Sequence, residues 1–309
     1  MDTLDTPIYL DHAATTPVDP AVAQAMLPFL NDPNYAGNAS SIHRFGREAR
    51  AAIDTARDAV AALIGADYAE IYFTGSGTEA DNLALFGTLL AAKPDRDHLV
   101  TTEIEHHAVL HTAHFLETLG FSVTRVPAGQ DGLVDPEAIA RAMTERTALV
   151  SVMHANNEIG TIQPIAEIAR IAHTHGAKFH TDAVQTPGLL PVDVRTLECD
   201  LLSLSAHKLY GPKGVGALYV RRKPRVHLAP EMDGGGQERG LRSGTLPTPL
   251  IVGFGEACRL AGLEMEEEAK RLRGLRDRLF QGLAGRLEGV GLNGHPDRRI
   301  PGNLNLSFA

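Results

Sequence analysis

Short apolar runs alternate with helix-like segments along most of this chain, and that alternation most narrows the folds open to it. The run at 70–74 precedes a helical stretch over roughly 78–92, and the run at 98–102 precedes another over roughly 107–119. The run at 148–153 leads through a turn to a helix near 164–175, and strand-like runs follow at 178–182, 201–205 and 216–220. This order predicts an α/β domain built on a mostly parallel sheet. After about residue 250 the character changes. Residues 250–287 read as helical, 289–292 as a short strand, and 303–308 as a half-buried strand of alternating polar and apolar residues. So few strands make a marginal sheet on their own. The expected division is a large domain over 15–250 and an incomplete small α+β domain from 1–14 plus 251–309.

Composition removes several classes of function. The chain holds 29 Lys and Arg against 38 Asp and Glu, a net charge of −9, which argues against direct nucleic-acid binding. It has no long apolar stretch of the kind that spans a membrane. Met1-Asp2-Thr3-Leu4-Asp5 lacks the basic and apolar regions of a signal peptide. Cys199 and Cys258 cannot form a disulfide framework, so the expected compartment is the cytoplasm.

In an open α/β sheet, ligands bind outside the carboxyl ends of the strands, and chemically capable residues collect there. Lys208 closes the apolar run 201–205 and precedes Gly211-Pro212-Lys213-Gly214. A lysine desolvated at such a position has a lowered pKa and can form an imine with a carbonyl, although most lysines are simply solvated. Gly75-Ser76-Gly77-Thr78 lies between a strand and a helix, where free N–H groups suit a phosphate. A plain helix cap with Thr78 as N-cap explains it equally well. His106 follows a strand and could stack on a flat ring. His107, His111 and His114 share one helix face, a metal-like spacing that lacks the Glu of the His-Glu-x-x-His pattern and reads better as a solvated histidine face. Asn156 and Asn157 could donate to an anionic oxygen or build a turn. Asp182 could hold a pyridine nitrogen protonated or cap the next segment, with Gln185 one turn later. Ser203, Ser205 and His207 alternate and so share one strand face, with Ser205 and His207 placed to serve a phosphate.

The sequence resembles the cysteine desulfurases, in the class V aminotransferase group of fold-type I pyridoxal 5'-phosphate (PLP) enzymes. The resemblance spans nearly the whole chain. It is carried by Tyr9-Leu10-Asp11-His12-Ala13-Ala14-Thr15-Thr16-Pro17, Gly37-Asn38-Ala39-Ser40-Ser41-Ile42-His43 and His154-Ala155-Asn156-Asn157-Glu158-Ile159-Gly160. The two longest matches are Leu204-Ser205-Ala206-His207-Lys208-Leu209-Tyr210-Gly211-Pro212-Lys213-Gly214 and Gly234-Gly235-Gly236-Gln237-Glu238-Arg239-Gly240-Leu241-Arg242-Ser243-Gly244-Thr245. The resemblance implies a large, mostly parallel seven-stranded sheet and a homodimer. It implies that Lys208 holds PLP covalently and shuttles protons, while His106 stacks on the ring and acts as acid or base. Asp182 then pairs with the pyridine nitrogen and Gln185 with the phenolic oxygen. Gly77, Thr78, Ser205 and His207 hold the phosphate, Thr245 reaches the phosphate of the neighbouring subunit, and Asn157 lies near the cofactor and the substrate carboxylate. No metal is implied.

The implied reaction converts L-cysteine to L-alanine, with sulfur transfer toward iron–sulfur cluster assembly or tRNA thiolation through a scaffold or acceptor protein. Selenocysteine lyase, and a non-catalytic PLP-binding dimeric scaffold, are the alternative readings. The resemblance places the sulfur-accepting cysteine on a loop beyond the 303–308 strand. Neither Cys199 nor Cys258 matches that position, and the chain is expected to be a fragment of a longer protein.

Overall fold

A computed structural model describes residues 7–309. The acidic stretch Met1-Asp2-Thr3-Leu4-Asp5 lies outside the described residues. In chain order the elements are α1 (Pro20–Asn31), α2 (Arg44–Leu63), β1 (Ile71–Thr74), α3 (Gly77–Ala92), β2 (His98–Thr102), α4 (His107–Thr118), β3 (Ser122–Val126) and α5 (Pro136–Ala142). They continue with β4 (Thr147–Ser151), α6 (Ile165–Thr174), β5 (Lys178–Asp182), β6 (Leu201–Ser205), β7 (Gly216–Val220), α7 (Thr248–Ala284), β8 (Val290–Leu292) and β9 (Leu306–Phe308).

A 7-stranded sheet of order β1-β7-β6-β5-β4-β2-β3 forms the centre. Only β7 runs against its neighbours, so the carboxyl ends of the other strands share one edge. Every residue of β2, β4, β6 and β7 is buried, as expected for a sheet covered on both faces. One apolar layer packs α2, α6 and the start of α7 against the sheet through Ile53, Val60, Phe73, Ile168, Phe179 and Phe254. The other packs α3 and α4 through Leu83, Leu89, Leu99, Val109 and Leu116. The crossover from β5 to β6 contains turns and no helix.

The first edge strand is fastened by a buried ion pair. Arg57 on α2 donates to both carboxylate oxygens of Glu238, at 2.7 Å each, and to the Ile71 carbonyl at 2.8 Å. Glu238 also accepts from the Phe73 N–H at 2.7 Å. Glu238 and Arg239 both adopt positive φ, 47° and 57°, a strained conformation for residues with a Cβ. The pair therefore holds the glycine-rich loop 233–245 in a shape it would not keep alone.

The last two strands form a 2-stranded antiparallel sheet, β8-β9. The segment between its strands is tied to the turn after β4 by an isolated antiparallel bridge, Thr161 to Arg299, with the Ile162 N–H donating to the Arg298 carbonyl at 2.9 Å and the Ile300 N–H to the Gly160 carbonyl at 3.0 Å, and by side chains. Arg299 donates to the Ile159 carbonyl at 2.7 Å, and Asn303 and Asn305 donate to the Glu158 carbonyl at 3.0 and 3.1 Å. No helix among the described residues is long and apolar enough to cross a membrane.

Both cysteines are core residues. Cys199 and Cys258 are buried in the layer under α2 and α7, and burial pushes the Cys199 thiol up to about 12 and the Cys258 thiol up as well.

Two outcomes are expected. Glu238→Gln strands the Arg57 cation in the core and should cost about 3–5 kcal/mol in denaturant unfolding. Native protein at pH 8 should resist iodoacetamide, whereas denatured protein should take up label at both thiols; rapid native labelling would contradict their burial.

Candidate active site

Because the parallel strands end together, the loops that follow β1, β2, β4, β5 and β6 meet around one cavity of about 620 Å³. Gly77, Thr78, His106, Asn157, Asp182, Gln185, Ser205, His207 and Lys208 all line it. Thr245 does not line it; it is exposed in the glycine-rich loop.

At one end lies the start of α3. Ser76, rather than Thr78, is the N-cap, accepting from the Glu79 N–H at 3.0 Å. Gly77 and Thr78 therefore occupy the first turn, whose N–H groups have no intrahelical acceptor. A Cβ on Gly77 would come within 2.8 Å of Val184 Cγ2 and 3.2 Å of Ser205 Cβ. Glycine here lets the start of α3 pack directly against Val184 and Ser205. Glu79 braces this turn, accepting from the Gly75 N–H at 2.8 Å and forming a bidentate pair with Arg242 at 2.7 and 3.1 Å.

Lys208 sits in a 3-10 turn, Ala206–Lys208, directly after β6. Its Nζ donates to the carbonyls of Ala13 and Ala14, the latter at 2.8 Å. Gln185 donates to the same Ala13 carbonyl at 3.0 Å. Desolvation lowers the Lys208 pKa against the opposing pull of Asp182, Asp11 and Glu158. The N-terminal segment is pinned alongside, since Thr16 donates to the His207 carbonyl at 2.9 Å and His207 Nδ1 bonds Thr15 Oγ1 at 3.0 Å.

Asp182 ends β5, where its carboxylate accepts from the Val184 N–H at 2.9 Å, so it caps the following turn as well as facing the cavity. Burial raises its pKa. His106 is the N-cap of α4, its Nδ1 accepting from Ala108 N–H at 3.1 Å. Asn157 lines the cavity while Asn156 builds the turn, donating to the Ile104 carbonyl at 2.9 Å and accepting from the Glu158 and Ile159 N–H groups at 2.9 Å each.

One expectation needs correction. Ser203, Ser205 and His207 do not act as one row, because the strand ends at Ser205 and His207 lies in the turn. Ser203 instead bonds His180 at 3.0 Å inside the sheet. His107, His111 and His114 are all exposed, as expected of a solvated histidine face; His107 and His111 lie 5.0 Å apart, while His114 turns to Glu117 at 3.3 Å.

The structure adds acidic residues that sequence reading missed. Asp81 on α3 lines the cavity and is 1% exposed. One oxygen each of Asp81 and Asp182 and a ring nitrogen of His106 lie within 4.8 Å of one another, a spacing that a cation or a shared proton could satisfy. Behind them, Glu105 accepts from Thr102 Oγ1 at 2.7 Å and the Met153 N–H at 3.0 Å, and burial pushes its carboxyl up to about 8. The available signal was compositional: Asp81 is an acid in a helix whose inner positions, Ala80, Leu83, Ala84 and Leu85, are apolar.

Residues 8–309 match the family model for class V aminotransferases. The chain is 54% identical over 303 residues to the cysteine desulfurase IscS of Anaeromyxobacter dehalogenans, covering 98% of this chain and 75% of that protein. It is 51% identical over 304 residues to a cysteine desulfurase of Mus musculus, covering 98% of this chain and 66% of that protein. Among solved structures, a NifS-like protein superposes with a TM-score of 0.93 at 40% identity, over 98% of this chain and 82% of that one. SspA in complex with cysteine superposes with a TM-score of 0.87 at 38% identity, over 98% and 84%. By sequence and by fold, the chain belongs to the class V aminotransferase family, among its cysteine desulfurases.

Proposed function

We propose that this protein binds PLP and converts L-cysteine to L-alanine, releasing the sulfur to an acceptor thiol for iron–sulfur cluster or tRNA thiolation pathways. One observation carries the reading: Lys208 and Asp182, at the ends of the neighbouring parallel strands β6 and β5, face one cavity closed at its other end by the glycine start of α3. That arrangement supplies an amine, an acid and an anion cradle in one enclosed space. When bound, PLP supplies an electron sink for the carbon attached to the substrate nitrogen.

The chain's own residues would then divide the work. The Gly77 and Thr78 N–H groups, with Ser205 and His207, receive the phosphate. The Asp182 carboxylate holds the proton on the ring nitrogen. The His106 imidazole covers the ring face and exchanges protons above it. Gln185 turns its amide to the phenolic oxygen, and Asn157 orients the substrate carboxylate. Lys208 Nζ, whose neutral form is made accessible by desolvation, anchors the cofactor and then moves the substrate proton. Thr245, exposed in the loop held by Glu238, reaches the phosphate of a neighbouring subunit, so the working form is a homodimer. In this reading residues 15–250 form the large PLP-binding domain, with Asp11, Ala13 and Ala14 of the preceding segment also lining its site, residues 251–309 belong to the small domain, and the protein works in the cytoplasm. Neither Cys199 nor Cys258 lines the cavity, and neither is assigned as the sulfur acceptor.

Purified protein should show a visible absorbance band from covalently held PLP, and Lys208→Ala should abolish it. Identical spectra for the two proteins would overturn the lysine assignment. With dithiothreitol as the acceptor thiol, sulfide release from L-cysteine by the Cys199→Ser and Cys258→Ala proteins should match that of the parent. A loss of about tenfold or more without unfolding would bring one of these thiols into the chemistry.

A further inference from the structure

Asp81 has no place in the division of labour above, yet it lines the same cavity at 1% exposure. Its neighbours offer it little. Oδ1 has no hydrogen-bond partner among the described residues. His180 Nε2 lies 3.6 Å from that oxygen, but this ring already bonds Ser203 at 3.0 Å and, through Nδ1, Ser151 at 2.9 Å. The groups facing the pair from every packed element are Asp182 and His180 on β5, His106 at the start of α4, Glu105 in the loop after β2, and Lys208 after β6. His106 lies within 4.8 Å of both carboxyls and does not separate them. Asp182 accepts the Val184 N–H at 2.9 Å and is drawn on by Lys208, while the further charge acting on Asp81 is another acid, Glu105. Two carboxyls this close and this buried do not both ionise; the proton stays with the member whose ionised form is less well held, and the Val184 N–H and Lys208 hold Asp182.

We infer that Asp81 is a positioning residue for Asp182: it keeps the proton of the buried pair, so that the pair carries a single negative charge and carries it on Asp182. Burial and the Asp182 charge raise the Asp81 pKa well above the usual carboxylate range, against the opposing pull of the Ser203 hydroxyl, which agrees with this assignment. The consequence for the proposed chemistry is selective. A neutral Asp81 adds no second anion beside the ring nitrogen and leaves Asp182 as the only carboxylate there able to bind a proton from it. The inference rests on PLP occupying this cavity, and its tests can fail separately from that reading.

The test compares Asp81→Asn and Asp182→Asn in the purified holoprotein. Asp81→Asn replaces a neutral acid with a neutral amide and should retain the visible band, whereas Asp182→Asn should weaken cofactor retention. In infrared difference spectra Asp81→Asn should lose a protonated-carboxyl C=O band. Stability gives a readout that needs no turnover. A carboxyl whose folded pKa is raised contributes most below its unfolded pKa of about 3.9, and that contribution is lost as pH rises toward the folded value. The parent should therefore lose Tm between pH 5 and pH 8 more steeply than Asp81→Asn, by about 3–8 °C. Parallel Tm profiles together with an unchanged infrared band would overturn the inference. Loss of the visible band in Asp81→Asn but not in Asp182→Asn would also overturn it, since the charge would then sit on Asp81. A rise in parent Tm with added Zn²⁺ or Mn²⁺ that Asp81→Asn removes would assign the three groups to a cation instead. Should Asp81→Asn not fold, the infrared band can be followed in Asp182→Asn: without the neighbouring charge it should titrate at lower pH than in the parent, and an unchanged titration would refute the pairing. If the Lys208→Ala spectrum matches the parent while the Tm profiles diverge, the cofactor reading fails and the carboxyl pair stands.

Discussion

Parallel strands can only be joined by crossing over the sheet, so every strand of that polarity ends at the same edge. Here that constraint acts on β1, β2, β4, β5 and β6 together, and the polar residues that follow them have no other place to go. The single reversed strand, β7, makes the edge more compact. It lies between β1 and β6, and Gly216 at its start touches the chain so closely that a Cβ there would meet Ser76 C and Leu204 O at 2.6 Å. The cradle after β1 and the lysine after β6 are thereby brought to one cavity from two separate strands.

The sheet that holds this edge has a polar interior. His98 bonds Thr147 and Thr124 at 2.9 Å each, His154 bonds Thr186 at 2.8 Å, and His180 bonds Ser151 and Ser203. Burial holds the His154 imidazole down to about 4 and that of His180 to about 3, so these rings stay neutral. Hydroxyls on adjacent elements satisfy both nitrogens of His98 and His180, which is the condition for burying a polar ring without a large cost. His180 links β4, β5 and β6 near their carboxyl ends, while His98 links β2, β3 and β4 near their amino ends.

Much of this was legible in the sequence because it depends on local signals. The runs at 98–102, 178–182, 201–205 and 216–220 became strands with those bounds, and the helices near 78–92, 107–119 and 164–175 shifted by only a residue or two. The strand Ser122–Val126 was missed because it is an edge strand with polar residues exposed or half-buried, so its apolar run is weak. The helices α1, α2 and α5 went unassigned, although Asp19 before Pro20 and Asp135 before Pro136 are cap signals. In the site, residues at strand ends could be found from their position. Asp81 could not, since its importance depends on which side of α3 meets β5. Nor could the contact of Lys208 and Gln185 with the Ala13 carbonyl, which joins residues far apart in the chain.

The helix Thr248–Ala284 is 37 residues long, and its buried residues all fall between Thr248 and Cys258, where α1 and α2 pack against it. The remaining 26 residues, 259–284, extend about 39 Å at about 1.5 Å per residue, and they lead to the strand pair held against Glu158 and Ile159. That is the geometry of a lever with its fulcrum in the core. A tilt of about 5° at the clamped end moves the far end by roughly 3 Å. Glu158 lines the cavity, so the wall of the site and the tip of the lever touch the same short turn. A shift of the outer sheet would therefore reach the cavity wall directly, through that turn.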